Sequence, residues 1–232
     1  MNYKHLLLLF FIQVIVTTSV SQNQETLKKL QELNLKNTFM DESMDTLHYS
    51  FIGISTTGSS TMDSVVTKKV KKYSYNPLNA PNKYQLLSVN DSTPKESDIK
   101  EFKSNFGKSN TGKIDPEDLK FIKEDATYVV FSFKYNKKSL SDENKVLAKC
   151  EGEAYINKNT KRLELLKFYG NKPIKVKIAK ITKLYFEQHL DYKAETNSYV
   201  AKDEYVDMEL KVLFLKAREK ETTIYQNYIK VQ

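Results

Sequence analysis

The sequence predicts an α+β fold, mostly antiparallel β, in which a curved open sheet of about nine strands is covered by two helices. Three observations predict it. Apolar and polar residues alternate along most of the chain, short turns join successive candidate strands, and two segments carry apolar residues at helical spacing. Consecutive strands joined by short turns pair antiparallel. A sheet with one apolar face needs a cover, which the two helices supply.

Residues 1–21 are typical of a cleavable secretory signal peptide. A positively charged start is followed by the apolar run Leu6–Val16, and small residues precede a cut before Gln22. A membrane-spanning helix needs about 20 apolar residues, so this run favours cleavage over an uncleaved anchor. The only cysteine lies far from the cut, which argues against a lipoprotein. We expect residues 22–232 to form a single β-rich domain in the periplasm or outside the cell.

Two segments show the spacing of amphipathic helices. The first is Glu25–Lys36. The second follows a capping box in which Thr93 caps the helix, Pro94 takes the first helical position and Glu96 reaches back to the cap amide. The apolar faces of these helices consist of Leu27, Leu30 and Leu33 in the first and Ile99, Phe102 and Phe106 in the second.

Strand-like alternation begins at Thr46 and dominates the chain beyond residue 119. The Gly/Ser/Thr-rich stretch Thr56–Thr61 predicts a turn after the first strand. Toward the carboxyl end, the pattern predicts three long strands over Val176–Leu190, Tyr199–Leu215 and Thr222–Val231. Each of the first two has one apolar face and one mixed face, as expected of a sheet packed on one side.

The formal net charge is +8, and removal of the signal with its one lysine leaves +7. Only Arg162 and Arg218 are arginines, so lysine supplies nearly all of the positive charge. Because arginine is favoured for bidentate recognition of phosphates and bases, we expect no nucleic-acid partner. Cys150 is the only cysteine, which excludes an intramolecular disulfide, and its small neighbours indicate a buried thiol.

The sequence shows no motif for catalysis, metal binding or a cofactor. His48 and His189 lie in strand patterns without ligand spacing, and neither a nucleophile elbow nor a phosphate-binding loop is present. We therefore expect a protein that is not an enzyme and binds neither metal nor cofactor. One alternative stays open, a hydrolase that uses Glu151 and Glu153, which share one strand face roughly 7 Å apart.

Apolar surface is the remaining functional signal. Side chains on one face of the central and long strands predict a ligand-binding lining for an apolar molecule. Ordinary core packing explains the same pattern. The predicted ligand-binding residues are Val129, Phe131, Phe133, Leu184, Phe186, Met208 and Leu210.

The carboxyl-terminal half resembles the LolA-like superfamily, periplasmic proteins related to the carriers that sort outer-membrane lipoproteins. The stretch from Gly152 to Thr160, followed by Arg162–Tyr169, is similar to the strand–turn–strand of that family. The resemblance implies an open half-barrel wrapped over helices, with a concave side that holds acyl chains. It implies a lipid, an acyl chain or a lipoprotein as partner, and matches no family site residue to this chain.

We therefore expect an exported cell-envelope protein that binds a lipid or a lipid-linked apolar partner. The alternative is a structural or interaction module of the envelope, with a packed core and another envelope protein as its partner. The oligomeric state is not predicted by any of these features.

Overall fold

The computed structural model describes residues 24–36, 39–40, 48–61, 67–105, 113–140, 145–170, 172–176, 179–213 and 215–231. The predicted signal peptide and Phe106 lie outside these residues.

Within the described chain, two α-helices and eleven strands follow one another in the order that the alternation predicts. Helix α1 covers residues 24–32, and α2 is Glu96–Asn105. Neither α1 nor α2 has the length and apolar composition that a bilayer-crossing helix requires. The strands are β1 (Tyr49–Thr61), β2 (Thr67–Tyr75), β3 (Tyr84–Val89), β4 (Lys120–Glu124), β5 (Tyr128–Phe133), β6 (Glu151–Asn157), β7 (Arg162–Tyr169), β8 (Ile174–Val176), β9 (Ala179–Lys193), β10 (Ser198–Val212) and β11 (Leu215–Lys230).

All eleven strands belong to one antiparallel sheet in the order β3-β2-β1-β11-β10-β9-β7-β6-β5-β4, and β8 pairs with β9. The sheet is open, because β3 and β4 end it without pairing to each other. Strand β1, the first strand of the described chain, pairs with β11, the last. The prediction of a mostly antiparallel, open half-barrel sheet with two helices is confirmed, with eleven strands in place of about nine.

The predicted turn over Thr56–Thr61 is wrong, because β1 continues through it. This stretch pairs with β11 along its whole length, from Thr56 opposite Thr222 to Thr61 opposite Ala217. Strand β2 pairs with its other side as far as Ser59. Backbone partners on both sides outweigh the weak strand preference of glycine and serine. For the same reason, β11 begins at Leu215 and not at the predicted Thr222.

The second helix begins at Glu96, two residues after the predicted start at Pro94. The Lys95 amide donates a hydrogen bond to Asp98 Oδ2 at 3.2 Å, so Asp98 satisfies an amide that the start of the helix leaves without a backbone partner. Of the predicted apolar face, Phe102 is buried, whereas Ile99 is exposed.

Helix α1 covers the end of the sheet formed by β4 to β7. Leu30 and Leu33 are buried, whereas the third predicted face residue, Leu27, is half exposed. Gly152 lies directly opposite Phe133, where a Cβ atom would meet the Phe133 ring at 2.4 Å, so only glycine fits there. The buried core under α1 consists of Leu30, Leu33, Phe39, Ile114, Leu119, Val129, Phe131, Phe133, Ala154, Ile156, Leu163, Leu166, Phe168 and Leu190.

Helix α2 covers the opposite end, formed by β1 to β3. Phe102 packs on Tyr73, with ring centroids 5.5 Å apart, inside a second cluster. Lys69 of β2 forms ion pairs with Asp98 and Glu101 of α2, at 2.9 and 3.1 Å. The second cluster consists of Phe51, Tyr73, Tyr75, Leu86 and Phe102. The two helices thus cover the two ends of the sheet and leave its middle strands between them.

Candidate functional site: the inner face of the sheet

The two helices pack on the same face of the sheet, which we call the inner face. Residues directly opposite each other on neighbouring strands share a face. Phe133 at one end of such a row lies under α1, and Lys69 at the other end pairs with α2. The row runs across eight strands through Phe133, Gly152, Phe168, Phe186, Val206, Glu221, Thr57 and Lys69.

Between the two helix-covered ends, β9 and β10 present a band of half-buried apolar side chains that we call the inner strip. Phe186 lies opposite Val206, and Leu184 lies opposite Met208. At a strand rise of about 3.3 Å per residue, the strip extends about 13 Å along β10. Each of its side chains keeps part of its surface in contact with solvent. The inner strip consists of Leu184, Phe186, Val206, Met208 and Leu210.

The seven predicted ligand-binding residues fall into two neighbouring groups on this face. Val129, Phe131 and Phe133 are 3%, 0% and 1% exposed and belong to the core under α1. The other four, Leu184, Phe186, Met208 and Leu210, form most of the inner strip.

The two groups are in contact through Phe168, a residue outside the predicted set. Its ring centroid lies 5.2 Å from that of Phe133 and 5.7 Å from that of Phe186. Val206 is the one residue of the inner strip that lies outside the predicted set. Its alternation with Met208 and Leu210 along β10 is the signal that would have found it.

Cys150 lies beside the inner strip in a third buried cluster with Ile174 and Ile181, against which Leu184, Met208 and Leu210 pack. The thiol is 2% exposed and donates a weak hydrogen bond to the Val146 carbonyl at 3.7 Å. Burial raises the pKa of the Cys150 thiol above its ordinary value, so the thiol stays protonated at neutral pH. The predicted buried cysteine is confirmed.

Next to the strip, the inner face carries a polar network centred on Glu204. The Tyr225 hydroxyl donates to Glu204 Oε2 at 2.8 Å, and Gln188 Nε2 donates to Oε1 at 2.5 Å. The Tyr225 and Tyr73 hydroxyls also hydrogen-bond to each other. The network thus connects β2, β11, β10 and β9 across the middle of the sheet.

A second carboxylate, Glu221, lies on the next row of the same face. It accepts a hydrogen bond from Ser55 at 2.6 Å and longer ones, both 3.4 Å, from Thr57 and Thr223. Among the described residues, neither Glu221 nor Glu204 forms an ion pair. We call Ser55, Tyr73, Gln188, Glu204, Glu221, Thr223 and Tyr225 the polar centre.

The surroundings of Glu204 disfavour its charge. Loss of hydration raises the pKa of its carboxyl, and repulsion from Glu221 raises it further, while hydrogen bonds from Tyr225 and Gln188 oppose the shift. The nearest lysine in its row, Lys71, forms an ion pair with Glu101 of α2 at 2.8 Å. The polar centre is therefore acidic, hydrogen-bonded and without a compensating cation among the described residues.

The carboxylate pair considered for a hydrolase lies on the opposite, outer face. Glu153 accepts hydrogen bonds from the hydroxyls of Tyr155 and Tyr169, at 2.6 and 2.9 Å. Glu151 lies 4.0 Å from the Lys134 ammonium. These contacts give the pair a structural explanation.

His189 also lies on the outer face, where its Nδ1 is 2.6 Å from Asp203 Oδ1 and its Nε2 is 3.6 Å from Glu187. In the part of the chain that the structure describes, no three His, Cys, Asp or Glu side chains converge in a way that would bind a metal ion. The outer face thus shows ion pairs and tyrosine–carboxylate contacts.

The fold and this face define an open antiparallel half-barrel with a partly exposed apolar strip between two helix-covered ends. No family model and no curated protein matches the chain. Among solved structures, the chain is similar to a LolA superfamily protein, NE2245 from Nitrosomonas europaea. The identity is 12%, the match covers 91% of this chain and 94% of that chain, and the TM-score is 0.35.

Proposed function

We propose that this protein is an exported, non-enzymatic protein of the cell envelope that binds a lipid or a lipid-linked apolar partner on its inner face. The observation that carries the proposal is the inner strip, a band of apolar side chains that the fold leaves partly exposed. Five neighbouring apolar residues on one sheet face are a surface whose burial by an apolar ligand is favourable.

In this proposal, three of the seven predicted residues support the sheet and the other four contact the ligand. Val129, Phe131 and Phe133 are fully packed and give the sheet a rigid base. Leu184, Phe186, Met208 and Leu210 contact the acyl chain directly. Side chains that are already held by packing on the sheet lose little freedom when a ligand binds, which favours affinity.

The polar centre limits how far a bound acyl chain can extend along the inner face. Glu204 lies two residues before Val206 on the same face of β10, so the apolar surface stops there. An acyl chain that continued past Val206 would cover carboxylates that prefer water, at a cost in free energy. The bound acyl chain therefore extends away from Glu204 and toward the β10–β11 turn.

Binding of a fluorescent fatty acid, cis-parinaric acid, tests the proposal. We expect the protein to bind the probe, and Met208→Glu to weaken binding at least about tenfold, because a charge in the middle of the strip must be desolvated on binding. The matched control is Leu78→Glu, which places the same charge on a residue that is 54% exposed and outside the strip.

Thermal melting of each variant separates a loss of binding from a loss of folding. If folded wild-type protein fails to bind the probe, or if Met208→Glu and Leu78→Glu bind as well as the wild type, the inner strip is not the binding surface. That result would favour the interaction module with a packed core.

A further inference from the structure

The turn between β10 and β11 exposes large apolar side chains. Leu213 is 77% exposed and Leu215 is 73% exposed, the two highest values among the large apolar residues of the described chain. Leu213 has a φ of 53°, in the left-handed region that favours glycine or asparagine. Neither solubility nor turn geometry favours leucine at this place, so the leucine side chain itself needs an explanation.

Directly behind this tip, four lysines lie side by side across four neighbouring strands. Lys175 is opposite Lys180, Lys180 is opposite Lys211, and Lys211 is opposite Lys216. All four are exposed, and none forms an ion pair with another described residue. With strands about 4.8 Å apart, this lysine row is about 14 Å wide. Like charges placed directly opposite destabilise a sheet, so the row has a cost to the fold.

Further from the tip on the same face of the sheet, basic side chains of β9 and β11 do have acidic partners on β10. Lys183 and Arg218 both pair with Asp207, each at 2.7 Å, and Arg218 also lies 4.0 Å from Glu209. The four lysines without an acidic partner among the described residues therefore lie at the end of the sheet that carries the exposed leucines.

We propose that this end of the molecule docks on the surface of an anionic lipid bilayer. The leucines at the tip enter the boundary between head groups and acyl chains, and the lysine row contacts the negatively charged head groups. Lys211 follows Val212 toward the middle of the sheet, and Lys216 follows Leu215 in the same way. At a strand rise of about 3.3 Å per residue, the layer of lysines therefore lies just behind the layer of apolar side chains. A nucleic acid fits the lysines alone and leaves the leucines unexplained.

The docking surface is continuous with the inner strip, although its evidence is independent of the proposed function. On β10 the inner-facing residues continue from Met208 through Leu210 to Val212, at the base of the tip. A lipid that leaves the bilayer at the tip would therefore meet the strip without crossing a polar surface.

Flotation with vesicles of phosphatidylcholine, with or without phosphatidylglycerol, tests the proposal. We expect the wild type to bind vesicles that contain phosphatidylglycerol and to lose most of this binding at high salt. At roughly fivefold per lysine, Lys180→Glu with Lys211→Glu should weaken binding at least 25-fold. Leu213→Ser with Leu215→Ser should weaken it about tenfold or more at every salt concentration.

Two double variants serve as matched controls. Lys68→Glu with Lys72→Glu makes the same charge change on exposed lysines of β2, and Ile224→Ser with Ile229→Ser removes exposed apolar residues of β11. We expect both to bind vesicles within about twofold of the wild type. All substituted residues are exposed, so melting temperatures should change little, and the lysine variants should bind cis-parinaric acid in solution as the wild type does.

Three results would overturn the proposal. They are equal binding to vesicles with and without phosphatidylglycerol, equal losses in the control and tip variants, and an absence of vesicle binding by folded wild type. Binding of a single-stranded oligonucleotide that requires Lys180 and Lys211 but not the leucines would also overturn it, in favour of a nucleic-acid surface.

Discussion

Replacing Phe131 by alanine is expected to lower the free energy of unfolding by about 4 kcal/mol, because it leaves a cavity in the core under α1. Phe131 has no exposed surface, and its ring centroid lies 6.3 Å from those of Phe39 and Phe121. Leu30 of α1 and Leu33, the residue after its end, complete the cluster around it. The loss should lower the melting temperature by roughly 10 °C.

Urea unfolding followed by circular dichroism measures this effect. Ile122→Ala is the control, since Ile122 lies on the neighbouring strand β4 and is 41% exposed, and its replacement should cost no more than about 0.5 kcal/mol. A loss below about 1 kcal/mol for Phe131→Ala would show that this region is not closely packed and that α1 does not seal it.

Replacing Asp207 by asparagine is expected to lower the free energy of unfolding by about 2 kcal/mol at neutral pH, because the ion pairs with Arg218 and Lys183 are lost. Asp207 is 5% exposed. Its Oδ1 accepts from Arg218 Nε at 2.9 Å, and its Oδ2 accepts from Arg218 Nη2 and from Lys183 Nζ, both at 2.7 Å. Asparagine preserves the shape of the side chain and removes its charge.

The effect of Asp207→Asn should depend on pH with a defined sign. Hydrogen bonds from Arg218 hold the pKa of the Asp207 carboxyl well below its ordinary value, and Lys183 lowers it further. A carboxyl with a lowered folded-state pKa stabilises the protein above the unfolded-state pKa of about 3.9 and loses this contribution as pH falls toward the folded-state pKa. The difference between wild type and variant should therefore be constant from about pH 5 to 8 and smaller at pH 3.

Asp191→Asn is the matched control for this experiment. Asp191 also pairs with a lysine, Lys193, at 2.7 Å, but its side chain is 55% exposed. An exposed pair contributes little, so this variant should unfold within about 0.5 kcal/mol of the wild type. Equal effects of the two variants at neutral pH would contradict a special role for the buried Asp207.

The strands could be predicted from the sequence because alternation is a local signal, but their ends could not. Whether Thr56–Thr61 forms a strand depends on β11, whose paired residues lie about 160 positions away in the chain. The start of α2 shifted because Asp98, and not Thr93, supplies the polar cap. These choices depend on which backbone and side-chain groups meet in space.

Part of the candidate site could be predicted, because alternation along a strand is a local signal. The apolar strip follows from alternation along β9 and β10, so Leu184, Phe186, Met208 and Leu210 were found. The polar centre has no local signature, because Ser55 and Glu221 are 166 residues apart and meet only through the pairing of β1 with β11. The lysine row could not be predicted either, because it depends on how four strands pair. In the sequence, each of its lysines is an ordinary polar residue.

The most direct test of lipid binding on the inner face observes the strip itself. The protein, labelled with ¹³C at its methionine methyl groups, is titrated with a fatty acid that carries a nitroxide spin label on its chain. Met208 lies in the strip, whereas Met40 packs against the core under α1 and serves as the internal reference. We expect the Met208 signal to broaden at stoichiometric ligand while the Met40 signal persists. An unchanged Met208 signal, or equal broadening of the two, would contradict binding on the inner strip.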